Sequence, residues 1–412
     1  MYPDLSYILH ALIGTEPDNW TSIFKTFGLL LVTAILIASW FLYIELKRKA
    51  KEGIFKSEKV KYIIGEQPQL WDVGANGLFG LFLGLKGVHI AQNFAKFQND
   101  PADLLLSLEG NWLAGIAMAA AFAGFRYWEQ KRASLPKPET TIQEIYPHDR
   151  IGDVTVVAAV SGILGAKLFA IFEAPETMSG FFSDPIGTFF SGSGLAIYGG
   201  LIGGFLGVWW WLKKHRIAFW PFADAIAPAL ILSYGIGRIG CQLSGDGDWG
   251  IVAGTMPEWW MLPDWLWSCD YPQNVNNAGV LMDICDPEKY REVVNLRSPE
   301  LRCEAACGTR YCHQLAQGVH PTPHYEIAMS LVITGILWAL RKRLSIPGML
   351  FFIYLIFNGV ERFLIEKIRV NDILFNIGET GVTQAELIST ILFFIGIGGV
   401  VWLKKKHKTI EN

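Results

Sequence analysis

The fold of this chain is decided by residues 194–250, which read GLAIYGGLIGGFLGVWWWLKKHRIAFWPFADAIAPALILSYGIGRIGCQLSGDGDWG. Two long apolar segments make up most of this stretch, and each has about the length of a membrane-spanning helix. Glycines recur along the first segment, where they would let a neighbouring helix or a lipid head group approach the backbone closely. These glycines are Gly199, Gly200, Gly203, Gly204 and Gly207. The stretch therefore predicts two closely packed helices in a membrane.

The second apolar segment ends with an arginine, Arg238, and a glycine-rich GDGDWG sequence that contains Asp246 and Asp248. An arginine at membrane depth is costly, and its guanidinium is suited to binding phosphate. The pattern predicts a pocket for a lipid phosphate that opens toward one face of the membrane. The aspartates could hold the arginine or a substrate hydroxyl, or transfer a proton. The alternatives are an arginine whose head group extends to the membrane surface and a solvated Asp–Gly turn.

The composition of the whole chain is that of a membrane protein. Of its 412 residues, 51% are apolar, including 16 Trp and 26 Phe, and the apolar residues fall in long uncharged runs. A net charge of −3 and the lack of a basic stripe argue against a nucleic-acid partner. The first residues, MYPDLSYILHALIG, lack a basic region, so we expect an uncleaved first helix rather than a cleaved signal peptide.

Nine apolar segments are each long enough, or nearly so, to cross the membrane as a helix. They cover residues 26–44, 73–94, 104–125, 152–172, 193–212, 219–241, 325–340, 348–365 and 387–403. Lysines and arginines cluster after the first, third, fifth, seventh and ninth segments, whereas residues 173–192 contain none. By the positive-inside rule, this pattern places the N-terminus outside and the C-terminus in the cytoplasm.

We therefore predict an all-α integral membrane protein of about nine transmembrane helices, with a cysteine-containing head segment outside the membrane. The expected divisions are an external N-terminal segment (1–25), the first helix with two further helices and cytoplasmic loops (26–150), the glycine-rich and GRIG-containing helices (151–243), the external head (244–324) and the C-terminal helices (325–412). The head is too long to be a simple connection between helices.

Five of the six cysteines lie in the predicted head, at positions 269, 285, 303, 307 and 312, and Cys241 precedes it directly. An even number of cysteines on an oxidising face of the membrane favours disulfides, one of which could join Cys241 to the head. The Cys-x3-Cys-x4-Cys-His spacing could also indicate zinc, although it is not that of a standard paired-CxxC site. Free buried thiols are the third possibility.

A second arginine occupies a setting like that of Arg238. In NGVERFLIEKIRVND, the residues Arg362, Glu366 and Arg369 are spaced by four and three positions, which places them on one face of a helix. The alternative is an Arg362–Glu366 pair that only neutralises itself. Asp224 is charged at membrane depth, and we expect it to brace neighbouring helices by hydrogen bonds. The two arginines could together grip one phospholipid head group near the outer leaflet.

The order of these motifs resembles the prolipoprotein diacylglyceryl transferase family, whose members are bacterial membrane enzymes of lipoprotein maturation. The matching sequences are GGLIG (199–203), ADAIAP (223–228), GRIG (237–240), HPTPHYE (320–326) and the Arg-x-x-x-Glu helix at 362–366. The resemblance covers residues 151–403, interrupted by the predicted head. Against the family's seven-helix pattern, the second and third segments are an inserted pair. LGLK (83–86) in that pair echoes LGAK (164–167), which indicates either an internal duplication or chance.

The resemblance implies transfer of the diacylglyceryl group from phosphatidylglycerol to the lipobox cysteine thiol of a prolipoprotein in the bacterial inner membrane, with release of glycerol phosphate. Such a reaction needs a thiolate and cations that stabilise the departing phosphate, and it needs no metal or cofactor. The candidate catalytic residues are Arg238, Arg362, Asp246, Asp248, Glu366, Tyr198 and His320. The candidate substrate-binding residues are Gly199, Gly200, Gly237, Gly240, Cys241, Tyr325, Glu326 and Arg369.

Three positions depart from the family pattern. Tyr198 stands where the family has a histidine before two glycines, Cys241 where it has an asparagine after GRIG, and Phe27 where it has a tyrosine before a glycine. Tyrosine, with an ordinary pKa of about 10, is a poor base at neutral pH. Two other functions therefore stay open. One is transfer of a phospholipid-derived group to a different acceptor, in which Cys241 could be reactive; the other is lipid binding or assembly without catalysis.

Overall fold

A computed structural model of the chain describes residues 1–99, 104–105, 109–173, 175–190, 196–296, 298–371, 373–377 and 380–411. The described chain is mostly helical and forms two compact units. The first unit combines Met1–Lys49 with Ala218–Asn412, and the second is Ala50–Ile217. Each unit is built mainly from long apolar helices that pack side by side.

The helices and strands follow one another along the chain, with the longest connection between Ser244 and Val280 among the described residues. The helices are α1 Leu5–Ile13, α2 Thr26–Lys51, α3 Leu70–Gln92, α4 Phe94–Asn99, α5 Trp112–Ala133, α6 Ile151–Glu173, α7 Pro175–Ser183, α8 Pro185–Phe190, α9 Ile197–Lys214, α10 Phe219–Ser244, α11 Pro287–Glu292, α12 Pro299–Cys307, α13 Thr322–Leu340, α14 Met349–Glu366 and α15 Gln384–Glu411. The strands are β1 Glu58–Ile64, β2 Glu139–Ile145, β3 Val280–Leu281, β4 His313–Gln314, β5 Ile373–Ile377 and β6 Thr380–Thr383. They pair in sequence as three antiparallel two-stranded sheets.

Six of the described helices are long and apolar enough to cross a membrane: α2, α3, α6, α10, α13 and α15. Their outward faces carry many exposed leucine, isoleucine, valine and phenylalanine side chains, as expected of helices in contact with lipid. The chain is therefore a multi-pass helical membrane protein, as the sequence predicted. The other three expected segments are also helical, as α5, α9 and α14.

The third expected segment, 104–125, is displaced in the structure. Its long helix, α5, begins at Trp112 because Asn111 caps it, the side-chain oxygen of Asn111 accepting a hydrogen bond of 3.0 Å from the Ala114 amide. Residues 101–103, 106–108 and 193–195, which fall in or near the predicted third and fifth segments, lie outside the described residues. The β1–β2 sheet was not expected, since both strands fall in predicted cytoplasmic loops.

In the first unit, α10 packs against α13 and α14 around a small apolar core formed by Ile231, Ile333, Leu337 and Leu350. The predicted bracing role of Asp224 is seen here. Its two carboxylate oxygens accept hydrogen bonds from the Gly348 and Phe351 amides, at 2.7 and 3.0 Å, and so cap the N-terminus of α14. This cap fixes α14 against α10 at the end opposite the arginines.

The predicted head segment folds around two disulfides, Cys285–Cys307 and Cys303–Cys312. In sequence, they span α11 and α12, and the two strands of the short β3–β4 sheet lie just before and just after them. These disulfides leave Cys241 and Cys269 as free thiols, so the expected disulfide between Cys241 and the head is wrong. The reason is position: Cys241 is buried in α10, and its sulfur lies 3.7 Å from an Arg238 nitrogen.

In the second unit, the glycines of α9 let its backbone contact α6 directly. A β-carbon added at Gly165 would lie 2.4 Å from the carbonyl oxygen of Gly199, and one added at Gly203 would lie 2.4 Å from that of Ser161. Both distances are too short for a real side chain. The glycine ladder therefore brings two helices together, which is one of the two roles the sequence suggested for it.

The α3–α5 hairpin repeats this arrangement. A β-carbon at Gly84 would lie 2.3 Å from the carbonyl oxygen of Ala114. The two hairpins also share a backbone hydrogen bond. In each, the amide of the residue just before the second helix donates to the carbonyl of the residue just after the glycine (Gly84 or Gly165). The bonds run from the Asn111 amide to Leu85 (3.0 Å) and from the Ala196 amide to Ala166 (3.1 Å). LGLK and LGAK therefore occupy equivalent places in the two hairpins.

Candidate active site

Glu326, near the start of α13, lies at the centre of a cluster of charged side chains in the first unit. It is fully buried, with 0% of its surface exposed. Its Oε2 lies 3.2 Å from the Nε of Arg238, and its Oε1 lies 3.3 Å from a terminal nitrogen of Arg362. Arg369 contacts the same carboxylate at 3.8 Å. The structure thus places the two arginines singled out in the sequence on the two oxygens of one carboxylate.

Arg238 is positioned by α10, one turn after Tyr234. Its guanidinium lies 5.1 Å from the centre of the Tyr234 ring, close enough for a cation–π contact, and it forms an ion pair with Asp248. The neighbouring glycines leave room around it. No atom of the described residues lies within 4 Å of a β-carbon added at Gly237, and one added at Gly240 would lie 3.2 Å from the Phe27 ring. The GRIG sequence therefore combines one arginine with small neighbours.

Arg362 and Glu366 lie one turn apart on α14 and form the pair that their spacing predicted, at 3.4 Å. The pair does not only neutralise itself, because Arg362 also contacts Glu326 on α13. Glu366 in turn accepts hydrogen bonds from Asn371 (2.6 Å) and Thr383 (2.7 Å), in the chain that follows α14. Arg362 is therefore oriented from both sides, which favours a fixed guanidinium plane.

Asp248 connects Arg369, the third arginine, to the cluster. Its two oxygens form ion pairs with Arg238 and Arg369. The backbone supports this arrangement, since the Ile251 amide donates to the Ile368 carbonyl at 2.8 Å and brings the segment after α10 beside the segment after α14. Of the two aspartates in GDGDWG, Asp248 is thus the one that holds the arginines.

Electrostatics separate the two aspartates further. Burial is the main cause that raises the pKa of Asp246 above its ordinary value. The negative charge of the nearby Asp248 carboxylate raises this pKa further. Burial would also raise the pKa of Asp248, but Arg238 and Arg369 outweigh it and lower that pKa below its ordinary value. Asp248 therefore stays ionised at neutral pH, whereas Asp246 is the better placed of the two to take up a proton.

Cys241, Asp246 and Asp248 also form a group that could hold a metal ion, since one ligand atom from each lies within 4.8 Å of the others. The chemistry of this group does not favour a metal. Both carboxylate oxygens of Asp248 are engaged by arginines, and a bound cation would be repelled by those guanidiniums.

The other candidate residues lie elsewhere. His320 contacts aromatic neighbours, with its ring 5.0 Å from that of Trp267 and its Nδ1 3.5 Å from the Tyr325 hydroxyl. Tyr325 donates to the Leu266 carbonyl at 2.7 Å. Tyr198, Gly199 and Gly200 belong to the second unit, where Gly199 contacts α6. The structure therefore brings together Arg238, Cys241, Asp246, Asp248, Glu326, Arg362, Glu366 and Arg369.

Two members of the cluster were not identified from the sequence. The Tyr234 hydroxyl lies 2.7 Å from Glu326 and 3.1 Å from Glu361. Glu361 is 98% buried, since only 2% of its surface is exposed. One signal could have found Glu361: it is an acidic residue inside an apolar segment, which is by default a candidate for function. Tyr234 is one helical turn before Arg238, a spacing that places both on the same face.

Fold and site together define a multi-pass membrane protein with a buried arginine–carboxylate cluster at one end of its helices, a setting suited to an anionic lipid head group. The sequence matches the family described as prolipoprotein diacylglyceryl transferase over residues 106–402. Because this match covers well over half of the chain, the protein belongs to that family. The match begins at residue 106, earlier than the motifs at 151–403 indicated, and so includes α5.

Individual relatives agree with this assignment. A phosphatidylglycerol–prolipoprotein diacylglyceryl transferase of Corynebacterium diphtheriae is 25% identical over 302 residues, which cover 73% of this chain and 89% of the relative. The enzyme of the same name from Staphylococcus carnosus is 26% identical over 313 residues, covering 75% and 92%. That from Dehalococcoides mccartyi is 25% identical over 309 residues, covering 74% and 94%. The similarity therefore extends over nearly the full length of each relative.

Proposed function

We propose that this protein transfers the diacylglyceryl group of phosphatidylglycerol to the lipobox cysteine of a prolipoprotein. In the reaction the cysteine thiolate attacks the glycerol carbon that carries the phosphate. A carbon–sulfur bond forms, the carbon–oxygen bond to phosphate breaks, and glycerol phosphate leaves with the bonding electrons. The thiol proton passes to a base. Family membership and the names of the relatives support this substrate pair.

The observation that carries the proposal is the convergence of Arg238, Arg362 and Arg369 on Glu326 and Asp248. The phosphate of phosphatidylglycerol is a singly charged diester, and the departing glycerol phosphate gains a second charge. Guanidiniums held in place before the reaction stabilise that developing charge without reorganising. In the proposed complex, phosphate oxygens take over some of the arginine hydrogen bonds that the two carboxylates hold in the free protein.

Most of the remaining candidate residues have proposed roles around this phosphate site. Asp246, with its raised pKa, is the proposed proton acceptor among the carboxylates near Arg238. Asp248 and Glu366 position the arginines. His320 and Tyr325 are proposed to contact the substrates, and Gly237 and Gly240 to let lipid or peptide approach the backbone. Tyr198, Gly199 and Gly200 lie in the second unit, where Gly199 packs against α6, and we propose no role for them at this phosphate site.

We further propose the membrane arrangement predicted from the sequence. Nine helices cross the bacterial inner membrane, with the N-terminus outside and the C-terminus in the cytoplasm. The family match begins at residue 106 and therefore counts α5 among the family helices, so the two helices proposed as additional to the family core are α2 and α3 rather than α3 and α5. The arginine cluster lies at the helix ends next to the disulfide-containing segment 244–324, so this orientation directs the site outward. Disulfides on that segment are consistent with an oxidising outer face.

The test is an assay with purified protein, phosphatidylglycerol vesicles and a lipobox peptide, read by mass analysis of the peptide. We expect a mass gain of one diacylglyceryl group, and release of glycerol phosphate. Arg238→Lys keeps the charge but loses the planar two-nitrogen geometry, and should lower the rate about 100-fold or more.

The matched control is Arg341→Lys. Arg341 is also largely buried, but it pairs with Glu45 at 2.7 Å, away from the cluster. This variant should transfer at the wild-type rate. Equal rates in the two lysine variants would reject the site, and an unmodified peptide with wild-type protein would reject the reaction.

A second candidate function rests on the free thiol of Cys241. Because this thiol lies beside Arg238 and Asp246, it could itself take part in moving a phospholipid-derived group to a different acceptor. Cys241→Ser separates the two. Full peptide transfer by the variant excludes a role for the thiol, whereas a lipid-modified Cys241 in wild-type protein would support the second function.

A further inference from the structure

The Tyr234 hydroxyl lies between two carboxyl groups. Its oxygen is 2.7 Å from Oε1 of Glu326 and 3.1 Å from Oε1 of Glu361. A phenol has one hydrogen to donate, so it can donate to only one of the two. If both carboxyls were ionised, the other contact would place a carboxylate oxygen against the phenol oxygen with no hydrogen between them. One further proton at this site would give both contacts a hydrogen.

The surroundings show which carboxyl group holds this proton. Glu326 contacts three arginines, so a negative charge on its carboxylate is compensated. Glu361 is nearly as buried, but its contact is the Tyr234 hydroxyl, and its Oε2 has no hydrogen-bond partner among the described residues. An ionised carboxylate in such a place would carry an uncompensated charge, whereas a neutral acid would not.

The groups around Glu361 point the same way. Tyr234 and Arg238 face it from α10, Glu326 from α13, and Arg362 and Tyr354 lie on its own helix. From α15, Ser389 and Phe393 contact the adjacent turn of α14 at Gly359, and neither of them ionises. The arginines are already engaged by Glu326, Glu366 and Asp248.

We propose that Glu361 is a protonated carboxylic acid that donates its hydrogen to Tyr234, and that it sets the charge of the pocket that receives the anionic head group. With Glu361 neutral, the three arginines are balanced by the three carboxylates that contact them, those of Asp248, Glu326 and Glu366. Ionisation of Glu361 adds one negative charge to the pocket, and this charge repels a phosphodiester. Glu361 is in this sense a positioning residue, acting through Tyr234 and Glu326.

The effect on function rests on the proposed phosphatidylglycerol site. As the pH rises and Glu361 loses its proton, the affinity for the anionic lipid should fall. Tyr234 then loses one hydrogen-bond donor and Glu326 shares the phenol proton with a second anion. The added charge lies within a few ångströms of the arginines in a largely buried site, so the expected change in KM is roughly tenfold.

The first test needs no substrate and no activity. Infrared spectra of the purified protein in detergent should contain the carbonyl-stretch band of a protonated carboxylic acid, and Glu361→Gln should remove it. Tyr234→Phe should shift the same band, because the hydrogen-bond acceptor is lost. Glu45→Gln is the control: Glu45 is fully buried but paired with Arg48 and Arg341, so its loss should leave the acid band unchanged. A Glu361→Gln spectrum that retains every acid band would overturn the proposal.

The second test measures the KM for phosphatidylglycerol across a pH series. In wild-type protein KM should rise with pH, while in Glu361→Gln, whose side chain stays neutral, it should remain at the low-pH value. The kcat of the two proteins should stay similar, since the residue does not contact reacting atoms. Parallel KM curves would reject the role in binding. Absence of transfer in both proteins would instead reject the proposed function and leave the infrared result standing.

Discussion

Two helix interfaces, one in each unit, are held together by different means. In the first unit, α10, α13 and α14 meet around charged side chains, with Glu326 in contact with Arg238 and Arg362. In the second, α6 and α9 meet backbone to backbone through glycines such as Gly165 and Gly203. One interface is polar and chemically specific, and the other is apolar and depends on shape.

The difference reflects what each interface has to do in lipid. Helices gain little from burying apolar side chains against one another there, because lipid tails are equally apolar, so close packing or polar contacts must supply the association. Glycine contacts achieve this at low cost. Buried charges are more expensive and are typical of places where a ligand or proton is handled. The polar interface is therefore the one expected to carry function, and the glycine interfaces the ones expected to carry only stability.

The largest expected effect is that of Glu326→Ala in the polar interface. It removes the carboxylate shared by three arginines and leaves them with only Asp248 and Glu366 as partners, so one buried positive charge is uncompensated, which costs about 3–5 kcal/mol of stability. Thermal unfolding in detergent should show a clearly lower midpoint, and transfer should fall even in the protein that remains folded.

Glu45→Ala is the control for this variant, because Glu45 is equally buried and pairs with Arg48 and Arg341. Its unfolding midpoint should fall comparably, but its activity per folded molecule should match that of wild type. Equal loss of specific activity in both variants would contradict the division into functional and structural charges.

A smaller effect on the unfolding midpoint is expected when either aspartate of GDGDWG is replaced by asparagine. The effect should have opposite signs at Asp248 and Asp246. Asp248 has a lowered pKa, so its stabilisation is present above the ordinary pKa of 3.8 and disappears as the pH falls through its lower value in the folded protein. Asp248→Asn should therefore lower the unfolding midpoint at neutral pH, with the difference from wild type shrinking in acid.

Asp246 should behave in the reverse manner. Its raised pKa means that the folded state favours the protonated form, so ionisation near neutral pH reduces stability. Asp246→Asn should keep or raise the neutral-pH midpoint while it impairs proton transfer. Midpoints that fall by the same amount in both variants at neutral pH would show that the two carboxylates do not differ as described.

The glycine interface can be tested with two adjacent alanine substitutions. A β-carbon at Gly203 would lie 2.4 Å from the Ser161 carbonyl oxygen, so Gly203→Ala must push the helices apart, at a cost of about 1–3 kcal/mol. The contact that a β-carbon at Gly204 would make, at 3.7 Å with the Ala158 carbonyl, is an ordinary one. Gly204→Ala should therefore be neutral or stabilising by about 1 kcal/mol, through helix propensity. Similar midpoints for the two variants would mean that the glycine contact does not decide the packing.

The membrane helices could be predicted from the sequence because each is a long apolar run with basic residues at alternate ends. The β1–β2 sheet could not, since its strands lie about 80 positions apart in sequence, and polar, mostly exposed strands give a weak local signal. The start of α5 was misplaced because the apolar composition begins before the capping residue Asn111 that sets the helix end.

At the site, the sequence predicted the ion pair within a single helix. It did not predict the contacts between side chains of three different helices. Arg362 and Glu366 were paired by their spacing, and the GRIG and HPTPHYE motifs indicated Arg238 and Glu326. The central position of Glu326 is a product of how α10, α13 and α14 pack, which no single-helix spacing contains. The choice between Asp246 and Asp248 likewise depended on the partner from a distant segment, Arg369.

The smallest expected effect is that of replacing Asp224, a buried carboxylate of α10 whose role is to cap α14. Asp224→Ala leaves the Gly348 and Phe351 amides without their acceptor and should cost about 0.5–2 kcal/mol, the usual value of a helix cap. Asp224→Asn retains one acceptor oxygen and should recover part of this loss. Because Asp224 caps the end of α14 opposite Arg362, both variants should keep the wild-type KM for phosphatidylglycerol. A raised KM in Asp224→Ala would show that the cap also positions the arginines through α14, and the polar interface would then act as one unit from end to end.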